Sequence, residues 1–182
     1  MNSTFDIENI EGNIEEALLN VGIIWNVLRQ SAQEIVLFGS RASKINKPDS
    51  DWDILCVGSG KSIYKKKINL IWIDKEELKS PRWLGSELAS HIAKYGVWIK
   101  GAGMWKNSVY ISSSAINKKI KRIIQLLRSL EHYWQYLSDF HKKKYLTKLR
   151  RDFQRLKILI SRQPIPPSPT LDKIWHNNAD LK

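Results

Sequence analysis

The chain has 182 residues, of which 42% are hydrophobic, enough for one domain, or one domain with a small appendage, around a real core. No stretch nears the roughly 18 continuous apolar residues that a membrane helix needs, and the polar, acidic start does not read as a signal peptide. The single cysteine, Cys56, excludes an internal disulfide and a cysteine-based zinc site; with no membrane signal this suggests a cytoplasmic protein.

The net charge of +12 is unevenly spread. Residues 1–110 carry 14 basic and 13 acidic side chains, a net of +1, whereas residues 111–182 carry 16 and 5, a net of +11. A near-neutral front joined to a basic back predicts a polyanion or an acidic protein surface as partner of the back half.

In chain order, Ile14, Leu18, Val21, Ile24 and Leu28 recur at three and four, which predicts one amphipathic helix over 13–32. Glu34–Phe38 reads as a strand closed by Gly39. Residues 41–50 are polar, contain Pro48 and read as a loop. Trp52–Val57 and Ile68–Ile73 read as two further strands. Helical stretches are expected at 76–78 and 86–95, with Gly96 at a helix end, and then a short strand at 97–99. Beyond a loop at 105–112, Ile116 to Leu137 keeps helical spacing, and so does Leu146 to Ile160. Together they predict a helical hairpin. The stretch 163–170 holds four prolines and reads as an extended linker or wrapped arm, with Trp175 as a candidate anchor.

Asp51 and Asp53 stand two apart at the start of an apolar strand, so both carboxylates point to one face. Two ionised acids held there repel, at a cost of several kcal/mol if buried without compensation. A divalent cation resolves the conflict, and such hard oxygen ligands suit Mg²⁺, which pairs one or two carboxylates with substrate phosphates. Gly39 allows close approach of a phosphate to the backbone, and Ser40 adds a hydroxyl donor. Alone, either the Gly-Ser pair or the Asp-x-Asp reads as an ordinary solvated turn; their combination after an apolar strand points to phosphate at the turn and metal at the acids.

Gly39-Ser40, ten residues, then Asp51-Trp52-Asp53 resembles the Gly-Ser-x10-Asp-x-Asp signature of the polymerase-β-like nucleotidyltransferase superfamily, and within it the small MNT-type members. The resemblance spans about residues 10–103. It implies an α+β fold, with a small mixed β-sheet core flanked by helices at 1–110; the basic helical hairpin at 111–162 and the proline-rich arm at 163–182 follow it. It further implies triphosphate binding by Gly39, Ser40 and the neighbouring Arg41, Mg²⁺ at Asp51 and Asp53 in a one- or two-metal site, and transfer of a nucleoside monophosphate from an NTP, with ATP the expected donor. The family's third acid is replaced here by Asn69, which binds metal more weakly and takes no proton. Asp74, at the end of the same strand, is a substitute only through a bulge or changed register, since its parity is opposite.

In the back half, Lys144, Lys148, Arg151 and Arg155 share one helix face and form a candidate track for RNA phosphates or another acceptor. Tyr133, Trp134 and Tyr136 either stack on bases or pack the hairpin. His91 reads as a surface or capping residue. The acceptor hydroxyl is expected on RNA, in particular a tRNA end, or on a partner protein in a toxin–antitoxin or defence setting. A catalytically impaired module that binds RNA or a toxin is the rival reading. Oligomers are expected because a two-helix appendage buries little alone.

Overall fold

The computed structural model describes residues 7–65 and 67–179; of Ile7 and residues 175–179 only the backbone is described, so the expected anchor Trp175 lies outside the described side chains. The amphipathic segment forms two helices rather than one, α1 (Ile7–Leu19) and α2 (Trp25–Ser31). Gly22, at φ +80°, turns the chain between them, a left-handed conformation that glycine adopts without steric cost. Both helices send apolar faces inward: Ile14 and Leu18 are fully buried, and Trp25 and Leu28 nearly so.

The three expected strands of the first 73 residues form as β1 (Glu34–Phe38), β2 (Trp52–Val57) and β4 (Ile68–Ile73). A short strand that the lysine-rich sequence concealed, β3 (Ile63–Lys65), precedes β4, and β5 (Val97–Lys100) completes the set. Together they make one mixed sheet in the order β3-β4-β2-β1-β5. β1 is antiparallel to β2 and to β5, β2 is parallel to β4, and β3 is antiparallel to β4. The fold is α+β. Alternation along the strands divides the core. Ile35, Leu37, Ile54 and Cys56 pack under α1 and α2. Val36, Phe38, Leu55 and Val57 face the other layer, with Trp83 and Ile92.

That second layer follows β1's short helix α3 (Gly39–Ala42) in the chain. It comprises α4 (Lys75–Leu78), α5 (Pro81–Leu84) and α6 (Glu87–Tyr95). Ser80 and Ser86 cap α5 and α6 by accepting from the N–H groups of Trp83 and Ala89, each satisfying an otherwise orphan donor. Pro81 at the first turn of α5 needs no donor there.

The predicted hairpin is α7 (Ser113–Tyr133) and α8 (Asp139–Ile160), with Ser112 and Ser138 as N-caps. α8 starts at Asp139, five residues before Lys144, where the Ser138 hydroxyl accepts from the His141 N–H as N-cap. Tyr133, Trp134 and Tyr136 at the turn are exposed, so they do not pack inside the hairpin as one reading had it. The proline stretch is extended only to Pro167: α9 (Ser168–Ala179) begins within it, with Pro169 in the first turn where its missing N–H is harmless. Ile165 and Leu171 bury against Leu159 of α8, so the arm folds back over the hairpin. Among the described residues, no helix is long and apolar enough to cross a membrane.

Candidate active site

The antiparallel β1–β2 pair sets Phe38 opposite Asp53. The chain then turns at Gly39, φ +74°, where an added Cβ would lie 2.2 Å from Asp53 Oδ2. Glycine is therefore required twice at this position, by the backbone and by the carboxylate. Gly39 thus sits directly against Asp53, and Ser40 lines the same cleft.

On the other side of β2, the parallel register sets Asp53 opposite Asn69 of β4. Asn69 Nδ2 donates to Asp53 Oδ1 at 2.9 Å. Burial pushes the Asp53 carboxyl above the usual carboxylate range; the Asn69 bond pulls it back, Asp51 pushes it further up, and Arg41 draws it down. Asp51 precedes the strand and is exposed. Both acids line one cleft of about 1280 Å³ together with Gly39 and Ser40.

Arg41 is not among the cleft-lining residues. Its Nε and Nη2 donate to the Ser50 carbonyl at 3.2 and 2.8 Å, and its guanidinium lies 4.1 Å from the Trp52 ring centroid, a favourable cation–π distance. Arg41 thus ties down the end of the loop that presents Asp51. Asp74 stands at the N-cap position of α4 without a side-chain capping hydrogen bond. It stands five residues beyond Asn69, about 16 Å along a strand at ~3.3 Å per residue, and so does not complete the acidic pair.

The opposite wall of the cleft comes from α6, α7, α8 and the proline arm. His91 of α6, read from sequence as a surface or capping residue, is half-buried there. Its Nδ1–H donates to the Ile165 carbonyl at 2.7 Å, which leaves Nε2 as the acceptor nitrogen. Burial lowers its pKa, against the Ile165 bond; Arg155 lowers it and Glu87 raises it. The net direction favours the neutral ring.

Of the basic stripe proposed on α8, the structure brings Arg151 and Arg155 to the cleft and leaves Lys144 and Lys148 exposed outside it. Arg151 grips Asp172 of α9 through both carboxylate oxygens, at 2.9 and 2.5 Å. Arg155 reaches Asp152 at 3.4 Å and Ser168 at 2.9 Å. Further cations of the cleft, Lys118, Lys119 and Arg122, come from α7, and Lys47 and Arg82 also line it. Sequence reasoning passed over the α7 cations because α8 carries the denser run. Lys119 is almost fully buried between Glu87, at 2.8 Å, and the wholly buried Asp152, at 3.2 Å. Arg122 closes on Asp152 at 3.1 Å. This ion network joins the α6 layer to the hairpin.

Among the described residues, no group of three or more His, Cys, Asp or Glu side chains converges to hold a metal. Asp51 and Asp53 are the donor types that would hold one Mg²⁺ together with phosphate oxygens; among the described residues no third carboxylate groups with them as a metal site.

Residues 22–84 match the family model of the nucleotidyltransferase domain. This matched segment contains β1, the Gly39-Ser40 turn, both aspartates and Asn69. Two solved chains are similar to the protein. One comes from a toxin–antitoxin with AMP-PNP, is 18% identical and has a TM-score of 0.30; the other comes from a mutant of the toxin–antitoxin MntA-HpeT, is 16% identical and has a TM-score of 0.28. Each alignment covers 72% of this chain and 98% of the other. None of the curated proteins matches the chain.

Proposed function

We propose that the protein is a Mg²⁺-dependent nucleotidyltransferase of the MNT type. It moves a nucleoside monophosphate from an NTP, with ATP the expected donor, to an acceptor hydroxyl on RNA or on a partner protein in a toxin–antitoxin or defence setting. The observation that carries this reading is the convergence of Gly39, Ser40, Asp51 and Asp53 on one cleft, with Gly39 pressed against the Asp53 carboxylate. The nucleotidyltransferase match over residues 22–84 supports it.

In this reading the triphosphate lies along Gly39 and Ser40, whose backbone N–H groups and hydroxyl take phosphate oxygens. A magnesium ion at Asp51 and Asp53 supplies neutralisation of phosphate charge when bound. The acceptor hydroxyl oxygen forms a bond to the α-phosphorus and gives its proton to water while the bond to the leaving pyrophosphate breaks. The chain's own contribution is positioning and electrostatics: Arg41 fixes the Asp51 loop, Asn69 orients Asp53, and the cations of α7 and α8 face the cleft. A cytoplasmic setting accords with the single buried cysteine.

A second reading is a binding module without turnover. The Asn69–Asp53 hydrogen bond favours it, because it occupies one carboxylate oxygen with a donor where the related signature has a third acid. Incubation with α-³²P-labelled NTPs, Mg²⁺ and cell lysate separates the outcomes. Label in RNA or in a protein band identifies the acceptor class. Nucleotide binding with no label in either supports the binding module, and neither binding nor label defeats both.

A further inference from the structure

The hairpin carries a second surface that the cleft does not use. On α7, Ile120, Ile124 and Leu127 are 37%, 42% and 42% exposed; on α8, Leu146, Phe153 and Ile160 are 48%, 48% and 60% exposed. Their spacings are four and three on α7 and seven and seven on α8, so each set follows one edge of its helix. The Lys119–Asp152 pair fixes the antiparallel register. It brings Ile120 and Phe153 to about the same level of the hairpin and, seven residues along each helix, Leu127 and Leu146. The cleft-lining cations Lys118, Arg122, Arg151 and Arg155 lie on the other side of the buried line through Ile123 and Asp152. The apolar strip therefore faces away from the cleft and runs about 21 Å from Leu146 to Ile160, at ~1.5 Å per residue.

Exposed Lys121 and Arg128 border the strip on α7, and Lys143 and Lys157 border it on α8. A smaller cavity of about 500 Å³ opens at its tip end, lined by Trp134, Lys143 and Leu146 among others. The acids at that end are Glu131 and Asp139, the latter 3.7 Å from Lys142.

The geometry points to a docking site for an amphipathic α-helix of another polypeptide, with an apolar stripe and acidic flanks. Two parallel ridges of aliphatic side chains leave a groove that takes a third helix by its i, i+3, i+4, i+7 residues. The bordering cations select the sign of its flanks. A second copy of this chain fits poorly, because residues 111–182 carry a net +11 and would face their own charge. The chain's acidic helix, α1, has the matching chemistry, but its apolar face is spent on its own core, with Ile14 and Leu18 fully buried. RNA fits poorly too: five of the six exposed side chains are aliphatic, whereas single-stranded grooves stack bases on aromatic rings. This assignment does not depend on catalysis in the cleft.

The test uses the full chain and two synthetic 21-residue helical peptides with the same leucine a/d core, one flanked by glutamate and one by lysine. The glutamate peptide is expected to bind at micromolar concentration, at least tenfold tighter than the lysine peptide, and to weaken as salt rises. Ile124→Asp/Phe153→Asp should weaken it at least tenfold with an unchanged melting temperature, since both side chains are exposed. Lys121→Glu/Lys157→Glu should reverse the preference between the peptides, which guards against a misfolded aspartate variant. Equal binding of both peptides, or no binding, overturns the assignment. Sedimentation showing a dimer that Phe153→Asp dissolves overturns it in favour of a second copy. A single-stranded RNA oligonucleotide that binds the strip and is lost with Phe153→Asp overturns it in favour of RNA.

Discussion

Asn69 donates its side-chain amide to Asp53 at 2.9 Å across the parallel β2–β4 pair. The residue standing where an acid is expected thus acts as a donor to the neighbouring acid. It lowers the carboxyl's tendency to hold a proton and fixes one of its oxygens. Asn69→Ala should cost about 1.5–3 kcal/mol, the range for a hydrogen bond to a charged group. Asn69→Asp should cost at least as much without metal, because it sets two carboxylates side by side, and Mg²⁺ should recover much of that loss. Thermal melts of the three proteins with and without Mg²⁺ check both.

Gly39 and Gly22 form an internal control. Both have φ near +80°, at +74° and +80°, but a Cβ at Gly22 meets nothing within 4 Å while one at Gly39 meets Asp53. Alanine at either position should cost about 1–2 kcal/mol from left-handed backbone strain. Only Gly39→Ala should also displace Asp53 and abolish Mg²⁺-dependent nucleotide binding. Calorimetric titration with a non-hydrolysable NTP alongside chemical denaturation distinguishes the two effects.

The raised Asp53 carboxyl gives a pH dependence with a definite sign. The folded protein holds this proton to a higher pH than the unfolded chain, whose carboxyl titrates near 3.8. Between that value and the raised folded one, the folded state binds more protons. Stability from this group therefore falls as pH rises through the window. Asp53→Asn should remove the slope and melt at a higher temperature than wild type at neutral pH. A melting-temperature series from pH 3.5 to 8 on both proteins reads this out; identical slopes would refute it.

Asp152 is wholly buried with Lys119, Arg122 and Arg155 around it. Removing one partner of a buried ion cluster leaves uncompensated charge, at about 3–5 kcal/mol. Asp152→Ala should lose that much in denaturant unfolding. Lys144→Ala, on the exposed part of the same helix, should change stability by less than about 0.5 kcal/mol.

Burial pushes the Cys56 thiol up to about 12, and its side chain is fully enclosed between sheet and helices. A thiol reagent at pH 8 should leave it unmodified in the native protein and react in full once denaturant unfolds the sheet.

Much of the front half was legible in the sequence because strands there are short apolar runs bounded by glycine and polar loops. β1, β2 and β4 fall where Glu34–Phe38, Trp52–Val57 and Ile68–Ile73 predict. Both acids line the cleft, but Asp51 stands one residue before β2, so the strand's period alone does not place it. What was hidden depends on distant contacts. β3 is a three-residue edge strand whose Tyr64 and Lys65 are exposed, so it has no apolar pattern to read. The break at Gly22 lies within an unbroken helical periodicity. His91 looks like any surface histidine until the arm carries Ile165 to it, 74 residues along the chain. The α8 stripe illustrates the converse: Arg151 and Arg155 share a face with Lys144 and Lys148, but acids from α9 and within α8 decide that the arginines are paired.

In the proposed function, Asp51 and Asp53 join a nucleotide to the Gly39-Ser40 turn through one magnesium ion. Titration of a non-hydrolysable ATP analogue into wild type and into Asp51→Asn/Asp53→Asn, each with Mg²⁺ and with EDTA, measures that linkage without requiring an acceptor. Saturable binding is expected only for wild type with Mg²⁺, weakened at least a hundredfold by either the double substitution or EDTA. Equal affinity in all four titrations would contradict the linkage.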